Sequence, residues 1–413
     1  MGFFRKTFRI WWQKPRKLED IEENREVTFL ELFYDLAYVG IIYQITHGLI
    51  DHLSVGGIIM YIFLYVMIFF AWVNGTWYHE LHGNNDLRTR VFTFLQVFAL
   101  TFIGIFAPTA FNEGGADGFA LAYIAFMVII TWLWASTGIY DKMHRVISMP
   151  YSLGFSFTIT LFIISLFVPA PVKFYLWFFG IAFAFFMPIV LPLVIHTYPQ
   201  HRELGLRIRP SLAERFGLLT IIVLGEVIAS IMRSASHHEY ITHELVLYIF
   251  QSLVIATTLW WLYSDLVARR LPIQRDLPRM AWMYLHFPVT LSIGLVAGGL
   301  YALLEDPENI TTLDKWIIIG PIVAFLISLK LLIYTLQGTN KESQIVYRRS
   351  GEVALLAGLC ILIVGLLDIP MVATLMLTIL FLFFPVFFAI RSWITYKMSI
   401  QEKSTSISTE KKA

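Results

Sequence analysis

Apolar residues in this chain come in runs of about twenty, and polar residues collect in the short gaps between the runs. Twelve such stretches occur, at about 28–50, 54–78, 90–110, 118–140, 151–169, 174–195, 212–232, 244–266, 280–303, 316–337, 350–366 and 370–391. A helix that crosses the hydrocarbon layer needs roughly 20 mostly apolar residues, so each run predicts a transmembrane helix. Only Leu367–Ile369 and Pro370 separate the last two. Asp368 in that turn predicts two spans with a tight exit rather than one long helix.

The first and seventh runs open on similar phrases, 183 residues apart. One reads Thr28-Phe29-Leu30-Glu31-Leu32-Phe33, the other Ser211-Leu212-Ala213-Glu214-Arg215-Phe216. A hydroxyl residue followed three positions later by Glu predicts a capping box at each helix start. The likeness continues beyond these phrases. At an offset of 190, Asp86-Leu87 corresponds to Asp276-Leu277, Leu95 to Leu285 and Gly104 to Gly294, while Trp72 corresponds to Trp260 at 188. The pattern predicts two parallel six-helix repeats, 27–200 and 201–395, between a basic amphipathic segment at 1–26 and a polar tail at 396–413.

Composition agrees with this class. The 413 residues are 57% hydrophobic and 15% charged, against about a quarter charged in a soluble chain. Placing the N-terminus in the cytoplasm and alternating the spans puts 26 of the 31 Lys and Arg residues on the inner side and three on the outer. That asymmetry predicts cytoplasmic N- and C-termini in a cell membrane. Trp72, Trp77, Trp260, Trp261, Trp282 and Trp316 lie near span ends and are expected to form an interfacial belt. Near the N-terminus, Phe4, Phe8, Trp11 and Trp12 interleave with Arg5, Lys6 and Arg9, the pattern of a helix lying on an anionic leaflet. A single cysteine, Cys360, rules out an intramolecular disulfide.

Ionisable residues inside spans are costly unless paired, protonated or hydrated, so each is a functional candidate. Glu31 and Glu214 have a structural reading as capping carboxylates and a functional one as site acids. Asp35 lies about 6 Å deeper than Glu31 on the same helix face. Two carboxylates so placed repel, so one must hold a proton or meet a cation. Either proton or cation coupling, or a salt bridge pinning the helix, satisfies that. Glu226 lies some 21 Å into its helix, just past the midplane, with Gln251 expected as a neighbour. It reads as a coupling acid or as a neutral acid joining two helices. Arg215 is too far from Glu226 to touch it and is placed to answer Glu31, Asp35 or an anionic ligand. Lys330 is expected to snorkel to the inner interface. His286 aligns with Gln96 in the repeat and reads as a packing histidine or as part of a polar cavity.

Other chemistry is thinly supported. His79-Glu80-Leu81-His82 and His237-His238 lack zinc-site spacing and a third ligand, and the first is expected to be a solvated loop face. No metal, cofactor or nucleic acid is called for. The expected partners are the bilayer, protons or cations, and an unknown small molecule; the oligomeric state is open.

Two motifs, Glu31-Leu-Phe-Tyr-Asp35-Leu and Glu214-Arg-Phe-Gly-Leu-Leu-Thr-Ile-Ile-Val-Leu-Gly-Glu226, resemble the bacterial low temperature requirement protein A family over about residues 20–395. That resemblance implies a role in growth in the cold and implies neither a reaction nor a substrate. The residues themselves favour a proton- or cation-coupled secondary transporter, with Asp35 and Glu226 as coupling acids and Arg215 as counter-charge. An intramembrane enzyme, or a lipid- or quinone-binding protein that adapts the membrane to cold, is the alternative.

Overall fold

Twelve α-helices follow one another in the computed structural model, which describes residues 11–22, 25–112, 114–142, 144–195, 207–268, 270–338 and 341–410. They are α1 (Phe29–Asp51), α2 (Val55–His82), α3 (Leu87–Phe106), α4 (Ala116–Tyr140), α5 (Arg145–Ser165) and α6 (Val172–Ile195). The series continues with α7 (Pro210–Ser236), α8 (His243–Tyr263), α9 (Asp276–Glu305), α10 (Thr312–Thr335), α11 (Lys341–Leu366) and α12 (Met371–Glu410). They correspond in order to the twelve predicted stretches. The expected interfacial helix at the N-terminus falls mainly on residues 1–10, outside the described residues.

Counting only the described residues, ten of the helices are long and apolar enough to cross a membrane. The other two are α1 and α6. In α1, 23 residues provide enough length, and Glu31, Asp35 and Gln44 dilute its apolar run. In α6 the apolar stretch with described side chains is Val172–Phe186. The protein is an all-α, polytopic membrane protein. Exposed Phe98, Phe102, Phe178, Phe179, Phe383 and Phe387 are the surface such a chain turns toward lipid tails.

Helix starts follow local chemistry. Thr28 and Glu31 form the predicted capping box on α1, and Thr311 with Asp314 forms another on α10. Asp86 caps α3 by accepting from the backbone N–H groups of Arg88 and Thr89. The box predicted for α7 does not form. Pro210, whose fixed φ suits the first helical position, begins that helix early and leaves Ser211 inside it. The helices run unbroken through Pro288 and Pro321.

Two compact units divide the chain, Met1–Arg215 and Phe216–Ala413. In the first, α1 packs on α2 and α3, and α3–α4, α4–α5 and α5–α6 are neighbours in turn; α2 also meets α4 and α6. In the second, α9–α10, α10–α11 and α11–α12 are neighbours in turn, and α12 returns to α8. A π-turn at Ser264–Ala268 ends the α8 run.

Trp residues only partly follow the belt expectation. Trp260 and Trp261 are exposed, but Trp72 and Trp282 are buried. For Trp72 the reason is chemical, because its indole N–H serves an acid.

Candidate functional site

In α1, Glu31 and Asp35 lie one turn apart, so both point to the same side of the helix. Each has found its own arginine. Glu31 accepts from Arg25 Nη1 at 2.9 Å and from Arg25 Nη2 at 2.8 Å, a fork-to-fork pair. Its Oε2 also accepts from the Thr28 backbone N–H and hydroxyl, at 2.9 and 3.0 Å. Capping and ion pairing are therefore carried by one side chain. Asp35 accepts from Arg215 Nε at 3.0 Å and Nη2 at 2.6 Å, and from the Trp72 indole N–H at 2.8 Å. Arg215 is fully buried, and its Nη1 lies 3.7 Å from Glu31. Its guanidinium also lies over the Tyr34 ring, 5.7 Å from the centroid.

A third acid completes the cluster. Glu80, fully buried, accepts from Arg25 Nη2 at 2.6 Å and from the Ser211 hydroxyl at 2.9 Å, with Arg209 Nη1 3.7 Å away. Three carboxylates thus face three arginines. This corrects the loop expected at His79–His82, which is instead the last turn of α2 and is buried. The helical period in fact continues through Trp77, Tyr78 and Leu81, a signal that the polar letters obscure.

Arg16 explains why α2 extends so far. Its guanidinium donates to the carbonyls of Glu80 at 2.6 Å and of Leu81 at 3.5 Å at the helix end, and lies 3.5 Å from the His79 carbonyl, which also accepts from the Gly83 backbone N–H at 3.0 Å. The segment around it is fastened too: Arg16 N–H donates to the His82 carbonyl at 3.1 Å, Gln13 N–H to Asp86 at 2.8 Å, and the Asn84 amide to the Lys14 carbonyl at 2.7 Å. Burial lowers the Arg16 pKa, and Arg25 nearby adds to the fall. For Arg25, burial also pulls downward, but hydrogen bonding and charge from Glu31 and Glu80 outweigh it and raise the pKa. Arg25, Glu80 and Trp72 are thus partners that sequence reading missed; Arg25 had counted only as a topology charge.

In the second unit, Glu226 meets a different arginine. Ser230 and Arg233, four and seven residues on, share its helix face. Arg233 Nη2 donates to Glu226 Oε1 at 2.7 Å and the Ser230 hydroxyl donates at 3.1 Å. Arg233 falls just beyond the seventh predicted stretch, but α7 continues to Ser236 and brings it onto this face. Gln251, expected beside Glu226, donates to the Val372 carbonyl at 3.0 Å instead.

The remaining candidates separate from these clusters. Glu214 is exposed, and Ser211, its expected capping partner, gives its hydroxyl to Glu80. His286 has both ring nitrogens engaged, with Tyr263 Oη at 3.0 Å and the Trp282 carbonyl at 2.7 Å, the geometry of a packing histidine. Lys330 lies 3.0 Å from Glu352. Among the described residues no three His, Cys, Asp or Glu side chains are grouped to hold a metal ion.

These features define a multi-pass all-α membrane protein with arginine–carboxylate pairs buried inside it. Residues 26–389 match the family described as bacterial low temperature requirement A protein, and the chain belongs to that family. No curated protein gives a significant match.

Proposed function

We propose that this protein is a secondary transporter in the cell membrane that moves a small molecule coupled to protons or cations, with both termini cytoplasmic. The observation that supports this reading is the Asp35–Arg215 pair. It is built from two hydrogen bonds in a nearly solvent-free place, where either partner left alone is strongly disfavoured. A pair of this kind is bistable. An incoming oxyanion competes for Arg215, and a proton or cation then satisfies Asp35, so substrate and coupling ion enter together and charge stays balanced. Glu226, with Arg233 and Ser230 on one face of α7, offers a second acid able to exchange partners in the same way. The recurrence in both units of a run of sequential neighbours, closed in each by a contact between the second and sixth helices, supports a duplicated carrier. The family's description, a low temperature requirement, supports a link between this activity and growth in the cold.

The test is flux. Purified protein in proteoliposomes, challenged with pooled metabolite fractions, should change internal pH with at least one fraction. Asp35→Asn and Glu226→Gln should abolish that change. Folded protein that moves nothing with any fraction, or variants that transport as well as the parent, would sink the reading.

A further inference from the structure

A cavity of about 180 Å³ opens beside the start of α1. It lies between the fastened N-terminal segment and the α2–α3 turn. Arg16, Arg25, Glu31, His79, Asn84 and Thr89 contribute to its wall, and Leu30 closes one side. We propose that this cavity is a binding site for a small oxyanion, a carboxylate or phosphate monoanion.

Three observations point to that class. Among the described residues, the ionised groups in the wall are two arginines and one glutamate, so an added single negative charge balances them. Glu31 is already engaged, accepting from Arg25 and Thr28 with Arg215 Nη1 3.7 Å away. Among the described residues of the wall, a cation would find only this engaged carboxylate. The buried side-chain polar atoms of the wall that lack a hydrogen-bond partner among the described residues are Arg25 Nε and His79 Nδ1. Arg25 Nε is a charged donor, buried where an unmade hydrogen bond costs most, so it asks for an acceptor, and charge-assisted pairs of this type are the strong ones. The Thr93 hydroxyl gives its hydrogen to the Thr89 carbonyl at 2.8 Å, so His79 donates to it from Nε2 at 3.1 Å and keeps Nδ1 as an acceptor, which suits the hydroxyl of a phosphate monoanion.

Size narrows the ligand further. A cavity of about 150 Å³ accommodates benzene, so this one suits a compact acid of around six heavy atoms, or a single phosphate group reaching in from a lipid. Neither Asp35 nor Arg215 lines it, so it is a site distinct from the exchangeable pair. It does not require transport: equilibrium binding is read without flux, and a protein that binds but carries nothing would remove the transporter reading and leave this one.

The experiment uses the full chain in nanodiscs. In phosphatidylcholine discs, acetate, lactate and inorganic phosphate at pH 6 are titrated by calorimetry, with acetamide as the uncharged control. In parallel, thermal unfolding is compared between phosphatidylglycerol and phosphatidylcholine discs without added anion. Saturable binding of a free anion, with none of acetamide, assigns a soluble ligand. A stabilisation found only with phosphatidylglycerol, and lost in Leu30→Trp, assigns a lipid headgroup. Leu30→Trp fills the cavity while keeping every charge, and should abolish either response. Arg25→Gln should weaken binding at least tenfold. If no anion or anionic lipid acts on the folded protein, or if Leu30→Trp binds as the parent does, the site does not exist.

Discussion

Replacing Arg215 with Gln removes both N–H groups that Asp35 accepts at 3.0 and 2.6 Å and leaves that carboxylate with the Trp72 indole alone. Glu31 loses its second cation, 3.7 Å away. Breaking one side of a buried ion pair costs about 3–5 kcal/mol, because an uncompensated charge stays behind. We predict a loss of about 4 kcal/mol for Arg215→Gln and somewhat less for Asp35→Asn, which strands an arginine that still has Glu31 within reach. Removing both partners should cost clearly less than the sum of the two, with a coupling of about 2–3 kcal/mol, the upper range for residues in direct contact. Reversible unfolding in mixed dodecyl maltoside and SDS micelles gives all four corners of the cycle. Additivity within about 0.5 kcal/mol, the behaviour of independent sites, would refute the pair as an energetic unit.

Two further outcomes follow from the same region. Arg16→Ala should leave the Glu80 and Leu81 carbonyls at the end of α2 without their side-chain donor, at a cost of about 1 kcal/mol; hydrogen exchange at residues 79–83 should quicken while the centre of α2 is unaffected, and unchanged exchange at 79–83 would show that Arg16 holds nothing. Gly75→Ala would push a methyl group into the Tyr34 hydroxyl, which is buried and engaged with Tyr38 at 2.9 Å; a loss of about 1–3 kcal/mol is expected from such overpacking, and an unaltered melting temperature in detergent would contradict the packing described.

Much of the architecture was legible in the sequence because a bilayer imposes a length rule that few soluble folds obey. All twelve helices lie where apolar runs and polar gaps place them, and Thr28 with Glu31 announced its own cap. Errors fell where a polar residue had two possible uses. Glu80 in His-Glu-Leu-His looked like loop surface, yet Arg25 and Ser211 neutralise it far away in sequence. Ser211 looked like a cap, but Pro210 takes over the helix start and frees its hydroxyl. Trp72 sits near a span end, where an interfacial role is the commonest one, and only its contact with Asp35 shows otherwise. Arg215 was recognisable as an answer to Glu31 or Asp35 from its depth alone. What no single sequence conveys is which acid each arginine chooses, since that depends on neighbours distant along the chain.

Arg215 is 180 residues later in the chain than Asp35. At a synthesis rate of about 5–20 residues per second, α1 exists for roughly 10–40 seconds before its arginine is made. Throughout that interval Asp35 has no cation, and the polar residues of α1 leave it short of the apolarity that drives spontaneous insertion. The ribosome therefore sets the order of assembly: α1 can reach its final charge-neutral place only after α7 has begun to emerge. Stalling translation between residues 82 and 209 should trap α1 in a state that proteases and membrane-impermeant reagents can reach.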